Sequence, residues 1–204
     1  MPNERTFISV VTAHILLALG WGLYCALHSI LAAGRVKRFI ARHLPAVAPF
    51  YRMGYILFAF AGLVALVAFQ LWLPTPFMWV QKKAVLMAGL VVMAGGLVLM
   101  AVCIKKYFAG LSGLKALDEN FGDNQLQVTG VHRFVRHPLY TGTFLFLWGG
   151  WLAWPALSLL ISNVIITVYT VWALRWEEAK LVREFGDDYL TYRKRVPALL
   201  PRLF

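Results

Sequence analysis

The chain has 204 residues, is 60% apolar and carries a formal net charge of +11. Soluble domains are nearer half apolar, so this composition excludes one and predicts a membrane protein. The basic excess does not indicate nucleic acid, because Lys and Arg flank apolar runs instead of forming a stripe interleaved with aromatics. The two cysteines, Cys25 and Cys103, lie inside apolar runs and make neither a disulfide framework nor a metal knuckle.

Five apolar segments are expected at about 8–33, 51–73, 84–104, 139–153 and 156–175, each close to the length that crosses a bilayer. The first is longer than the apolar part of a signal peptide and follows no strongly basic stretch, so it is expected to remain as a membrane helix. The fourth is short and meets the fifth at Trp154-Pro155, where proline disfavours helix and predicts a tight helical hairpin. The expected fold is all-α: one polytopic membrane domain over 1–204, with three transmembrane helices in 1–104 and a functional core in 105–204.

The distribution of bases sets an expected orientation. Arg35, Lys37, Arg38, Arg42 and Arg52 follow the first segment; Lys105, Lys106, Lys115, Arg133 and Arg136 follow the third; Arg175, Lys180, Arg183, Arg193, Lys194, Arg195 and Arg202 follow the fifth. The opposite side has Arg5, Lys82 and Lys83. Five crossings then place the amino terminus outside and the carboxyl terminus, with most acids, in the cytoplasm. Beyond the fifth segment an amphipathic helix is expected to about Phe185, closed by Gly186, with Asp187 or Asp188 capping a second cytoplasmic helix.

Two polar clusters stand out against this background. Arg136-His137-Pro138-Leu139-Tyr140-Thr141-Gly142 opens the fourth segment, and Glu177-Glu178 follows the fifth. Taken alone, the first reads equally as a helix start with Pro at its first turn and interfacial side chains reaching water. A hairpin of two crossings brings both clusters to one level, where paired ionisable groups mark a site or a structural salt bridge. Leu174, Glu178, Leu181 and Phe185 share a helical stripe, which predicts Glu178 inward and Glu177 about 100° around the helix.

From about residue 124 the chain resembles the isoprenylcysteine carboxyl methyltransferase family and its phospholipid methyltransferase-like bacterial relatives. The resemblance rests on Val128-Thr129-Gly130-Val131, on the Arg136 to Gly142 run, and on Glu177-Glu178, Leu181, Phe185-Gly186, Tyr189, Tyr192, Arg195-Val196-Pro197 and Leu200-Pro201 in that order. It implies an integral membrane methyltransferase whose cofactor, S-adenosylmethionine, is held by Asn124, Gln125, Leu126, Gln127, His132, Arg136, His137, Pro138, Leu139 and Tyr140. Glu177 matches the family acid that contacts the cofactor, and Glu178 stays beside it on the stripe argument. The implied acceptor is small or lipophilic: an isoprenylcysteine-type carboxylate, a thiol or a lipid amine.

One departure bears on that acceptor. Eukaryotic members carry an arginine about one turn before the first Glu; here the position is Ala173, and the nearest arginine is Arg175. Arg175 and Arg193 are therefore candidate acceptor-side contacts, and His28, in a Leu27-His28-Ser29 run similar to the bacterial branch, is a candidate base. His14, His28, His43 and His132 show no metal-ligand spacing, so no metal is expected. The expected partners are the lipid bilayer and the acceptor, in a membrane read as the bacterial inner membrane. Two rivals remain: a nicotinamide-dependent intramembrane reductase and a non-catalytic protein of the same fold.

Overall fold

The computed structural model describes residues 4–111 and 126–201, in which every regular element is helical. In chain order these are α1 (Glu4–Ala32), α2 (Gly34–His43), α3 (Tyr51–Trp72), α4 (Lys83–Leu111), α5 (Pro138–Ala153) and α6 (Leu157–Arg195). Short 3-10 turns occur at Ala48–Phe50 and Gly130–Arg133. An isolated antiparallel bridge joins Phe77 to Ala156.

Among the described residues, four helical stretches are long and apolar enough to cross a membrane: Ser9–Ala32, Ala48–Trp72, Lys83–Lys105 and Leu157–Arg195. The expected fourth segment is α5, but it has 16 residues. That is about 24 Å of helix against a hydrocarbon core of about 30 Å. Its ends are chemical: Pro138 occupies the first turn, and Trp154 precedes Pro155 in extended geometry. In α6, Gly186 has φ of +54°, a left-handed conformation that breaks the helix where glycine permits it. The short helix α2, read from the sequence as part of a loop, is a further element.

The chain divides into two compact units, Met1–Trp79 with Pro155–Tyr169, and Val80–Trp154 with Thr170–Phe204. In the first, Leu17, Trp21 and Leu73 form a buried cluster flanked by Leu66, Phe69, Ile165 and Ile166. A buried polar chain runs beside it. The His14 ring meets the Val10 carbonyl through Nδ1 at 2.8 Å and Thr75 Oγ1 through Nε2 at 3.1 Å. The Ser158 amide donates to Thr75 Oγ1 at 3.0 Å, and Ser162 Oγ donates to Gln70. Lipid offers no hydrogen bonds, so polar groups at this depth must satisfy one another.

In the second unit α4 and α5 touch backbone to backbone along glycines. Gly89 and Gly96 on α4 oppose Gly142 and Gly149 on α5, a seven-residue interval on each helix. A Cβ on Gly96 would lie 2.5 Å from the Gly142 carbonyl oxygen, and one on Gly149 would lie 2.5 Å from the Met93 nitrogen. Small residues permit such an approach, where dispersion rather than the hydrophobic effect holds helices together in lipid. Gln81 Nε2 donates to the carbonyls of Leu152 and Ala153, both at 2.7 Å, satisfying the end of α5.

This crossing yields a paired test. Gly96→Ala should lower detergent-phase thermal stability by about 1–3 kcal/mol, because neither backbone can yield. Gly95→Ala, whose Cβ would meet nothing within 4 Å, should be neutral or slightly stabilising. Equal effects at the two positions would refute a glycine-dependent contact.

Candidate functional site

Pro138 starts α5, and that start turns the preceding residues inward against the distal part of α6. Val135, His137 and Pro138 are buried. The segment after α6 returns along them: the Arg136 amide donates to the Pro197 carbonyl at 2.8 Å and the His137 amide to the Ala198 carbonyl at 3.0 Å. Thr141 Oγ1 donates to the Leu199 carbonyl at 2.7 Å. Val196 to Leu199 therefore forms a strap across the beginning of α5.

Arg136 is the centre of a buried ion cluster. Its Nε donates to Glu178 Oε1 at 3.0 Å, its Nη2 also donates to that oxygen, and its Nη1 donates to the carbonyls of Arg193, at 3.2 Å, and Val196. The Arg136 and Glu178 side chains are 8% and 12% exposed. His137 Nε2 lies 3.3 Å from Glu178 Oε1, and Arg193 Nε lies 3.4 Å from Glu178 Oε2. Burial pulls the His137 imidazole below its ordinary pKa, outweighing the opposing pull of the Glu177 and Glu178 carboxylates.

Beside this cluster is a hollow of about 490 Å3. Leu126, Gln127, His132, Arg136, His137, Pro138, Leu139, Tyr140 and Glu177 all line it. Tyr140 donates its hydroxyl proton to Glu177 Oε2 at 2.6 Å, and its ring stacks on His137 with centroids 5.7 Å apart. His132 Nδ1 donates to the Arg136 carbonyl at 3.1 Å, and the Tyr192 hydroxyl donates to the His132 carbonyl at 2.5 Å. Leu126, Leu181, Val182 and Phe185 pack around buried Tyr189, Tyr192 and Val196.

The two glutamates thus have different surroundings. Glu178 is inward, as the stripe predicts, but it faces the arginine cluster and is not a lining residue; Glu177 lines the hollow. Arg193 is in the ion cluster and Arg175 is exposed, and neither lines the hollow. Asn124 and Gln125 lie outside the described residues. His28 belongs to the first unit, where the Tyr55 hydroxyl is 3.1 Å from its Nε2 and the Tyr24 ring is 5.9 Å away. Among the described residues no group of three His, Cys, Asp or Glu is placed to hold a metal.

Cys103 and Glu184 also line the hollow, and neither is among the residues expected there from the sequence. A signal existed for both. Cys103 continues the seven-residue series Gly89, Gly96 on the face of α4 that meets α5, while Glu184 follows Glu177 by seven residues and Leu181 by three, one helical face.

Residues 84–188 match the phospholipid methyltransferase family, and the chain belongs to it. A methanethiol S-methyltransferase of Bradyrhizobium diazoefficiens is 32% identical over 89% of this chain and 71% of its own length. A methanethiol S-methyltransferase of Crocosphaera subtropica is 28% identical over 98% of this chain and 79% of its own. A protein-S-isoprenylcysteine O-methyltransferase of Schizosaccharomyces pombe is 36% identical, over 39% of this chain and 34% of its own. No solved structure matches significantly. With its apolar helices, the chain is an integral membrane protein whose relatives are methyltransferases.

Two outcomes test the cluster. Glu178→Ala leaves Arg136 buried without its carboxylate and should cost about 3–5 kcal/mol in stability, read by thermal unfolding in detergent. Folding lowers the His137 pKa, whereas in the unfolded chain the ring takes up a proton below about pH 6.5. Its contribution to stability is therefore complete above that pH and is lost as the pH falls further, so the unfolding midpoint should decline as the pH is lowered below about 6.5. His137→Gln should flatten the decline; an unchanged slope would remove His137 as its origin.

Proposed function

We propose that this protein transfers a methyl group from S-adenosylmethionine to a small thiol at the hollow beside Tyr140 and Glu177. The observation that carries the proposal is the Tyr140–Glu177 pair on an otherwise largely apolar wall, within the residues that match the methyltransferase family. A volume of about 490 Å3 suits a ligand of that donor's size, since small-molecule sites span roughly 300–1,000 Å3. The donor supplies an electrophilic methyl on a cationic sulfonium.

The residues present fit such a ligand. Glu177 accepts from cationic or N–H groups, and the stacked His137 and Tyr140 rings offer a flat surface to a purine. Arg136 is already bonded to Glu178 and two carbonyls, so its role is to hold the wall in place and keep the strap against α5. Leu126, Leu139, Leu181 and Phe185 keep water away. Glu177, Tyr140 and His137 would hold the sulfonium donor so that its methyl could pass to an acceptor thiolate, the reactive form of a thiol. Both charges vanish, a change that a dry wall favours over water. Positioning in line supplies much of the remaining acceleration.

A small thiol is favoured over a prenylated carboxylate by coverage. The thiol methyltransferases match this chain along 89% and 98% of it, the isoprenylcysteine enzyme along 39%. The basic segments favour five crossings, α5 included, with the amino terminus outside and the carboxyl terminus in the cytoplasm of a bacterial inner membrane.

Calorimetry on detergent-purified protein should register binding of S-adenosylmethionine or its demethylated product. Glu177→Gln should weaken it by roughly 10- to 100-fold, the worth of a charge-assisted hydrogen bond, without lowering the unfolding midpoint. With radiolabelled donor, methanethiol should yield a labelled volatile sulfide. Label recovered in lipid or prenylated peptide instead would reject the thiol, and no binding of either adenosyl ligand would reject the whole reading.

A further inference from the structure

We propose that α2 is a binding site for anionic phospholipid headgroups, lying flat at the membrane surface between two spanning helices. At 100° per residue, Val36, Phe39 and Ile40 fall on one face of Gly34–His43, and Arg35, Lys37, Arg38 and Arg42 on the other. No residue of α2 is buried. Its apolar face is continued by the exposed side chains of Leu44, Val47 and Phe50, the last 63% exposed.

Topology leaves this helix little choice of place. The spans Ser9–Ala32 and Ala48–Trp72 begin and end around it, so it stays within a short link of the bilayer. Ala33, at φ −64° and ψ 137°, is extended and lets α2 leave the axis of α1. A helix with one basic and one apolar face then rests with its apolar side among acyl chains and its bases at headgroup level.

Charge decides the partner. The chain has no Asp or Glu between Glu4 and Asp118, and the unit containing α2 has Glu4 as its one carboxylate, at the opposite end of α1. Four bases on one helical face therefore have no acid of their own unit to neutralise them. Anionic lipid supplies that charge in the plane where the apolar face already anchors the helix, and each nearby Lys or Arg strengthens the attraction. Depth comes from Phe39 and its neighbours, headgroup choice from the bases.

The test uses the full chain reconstituted with spin-labelled lipids, comparing the motionally restricted fraction of phosphatidylglycerol with that of phosphatidylcholine. The intact protein should prefer phosphatidylglycerol by roughly three-fold or more, and salt should weaken the preference. Replacing Arg35, Lys37, Arg38 and Arg42 together by Gln should remove most of it while the protein stays folded by circular dichroism. Phe39→Ser should lower the restricted fraction of both lipids without changing their ratio. No preference in the intact protein would overturn the proposal and leave the helix to a soluble acidic partner or a second copy. Full preference in the Gln variant would overturn it by placing the lipid contact on other bases.

Discussion

The ion cluster around Arg136 holds the candidate site together. A buried guanidinium is tolerable only if its N–H groups find acceptors, and here Glu178, the Arg193 carbonyl in α6 and the Val196 carbonyl in the strap provide them. That requirement fixes three pieces of chain at once: the residues before α5, the distal half of α6 and the strap after it. The strap's own hydrogen bonds to the Arg136 and His137 amides follow the same line. Geometry at Tyr140 and Glu177 is inherited from this clamp, since each is the neighbour of a clamped residue or lies within one helical turn of one.

The clamp also sets the electrostatics of the hollow. Arg136 is matched to Glu178, burial lowers the His137 pKa, and the acids on the lining are Glu177 and Glu184. A lining with more acid than base prefers a cation, and its apolar remainder gives that preference strength by excluding water. The pairing of one Glu with Arg136 and the other with Tyr140 separates a supporting role from a ligand-facing one within two consecutive residues.

The glycine crossing of α4 and α5 is the second constraint. Because α5 is short and ends in Trp154-Pro155, it cannot rely on length for its place; contact with α4 at Gly96 and Gly142 provides it. The same face of α4 then carries Cys103 into the hollow, so helix packing and site lining are two parts of one seven-residue pattern.

The sequence by itself determined the all-helical membrane class, the two polar clusters and their family. Long apolar runs, ionisable residues at their ends and a fixed order of motif residues are local properties that need no coordinates. Helical periodicity also carried α2 and the Gly89, Gly96, Cys103 series, although both hid inside stretches whose average hydropathy suggested only loop or span. Tertiary structure alone decided which glutamate faces the hollow, because adjacent residues on one helix are told apart only by where the Arg136 guanidinium sits, against Glu178 and the carbonyls of Arg193 and Val196. It alone placed Val196 to Leu199 against α5, since hydrogen bonds between backbones far apart in sequence leave no mark on residue type.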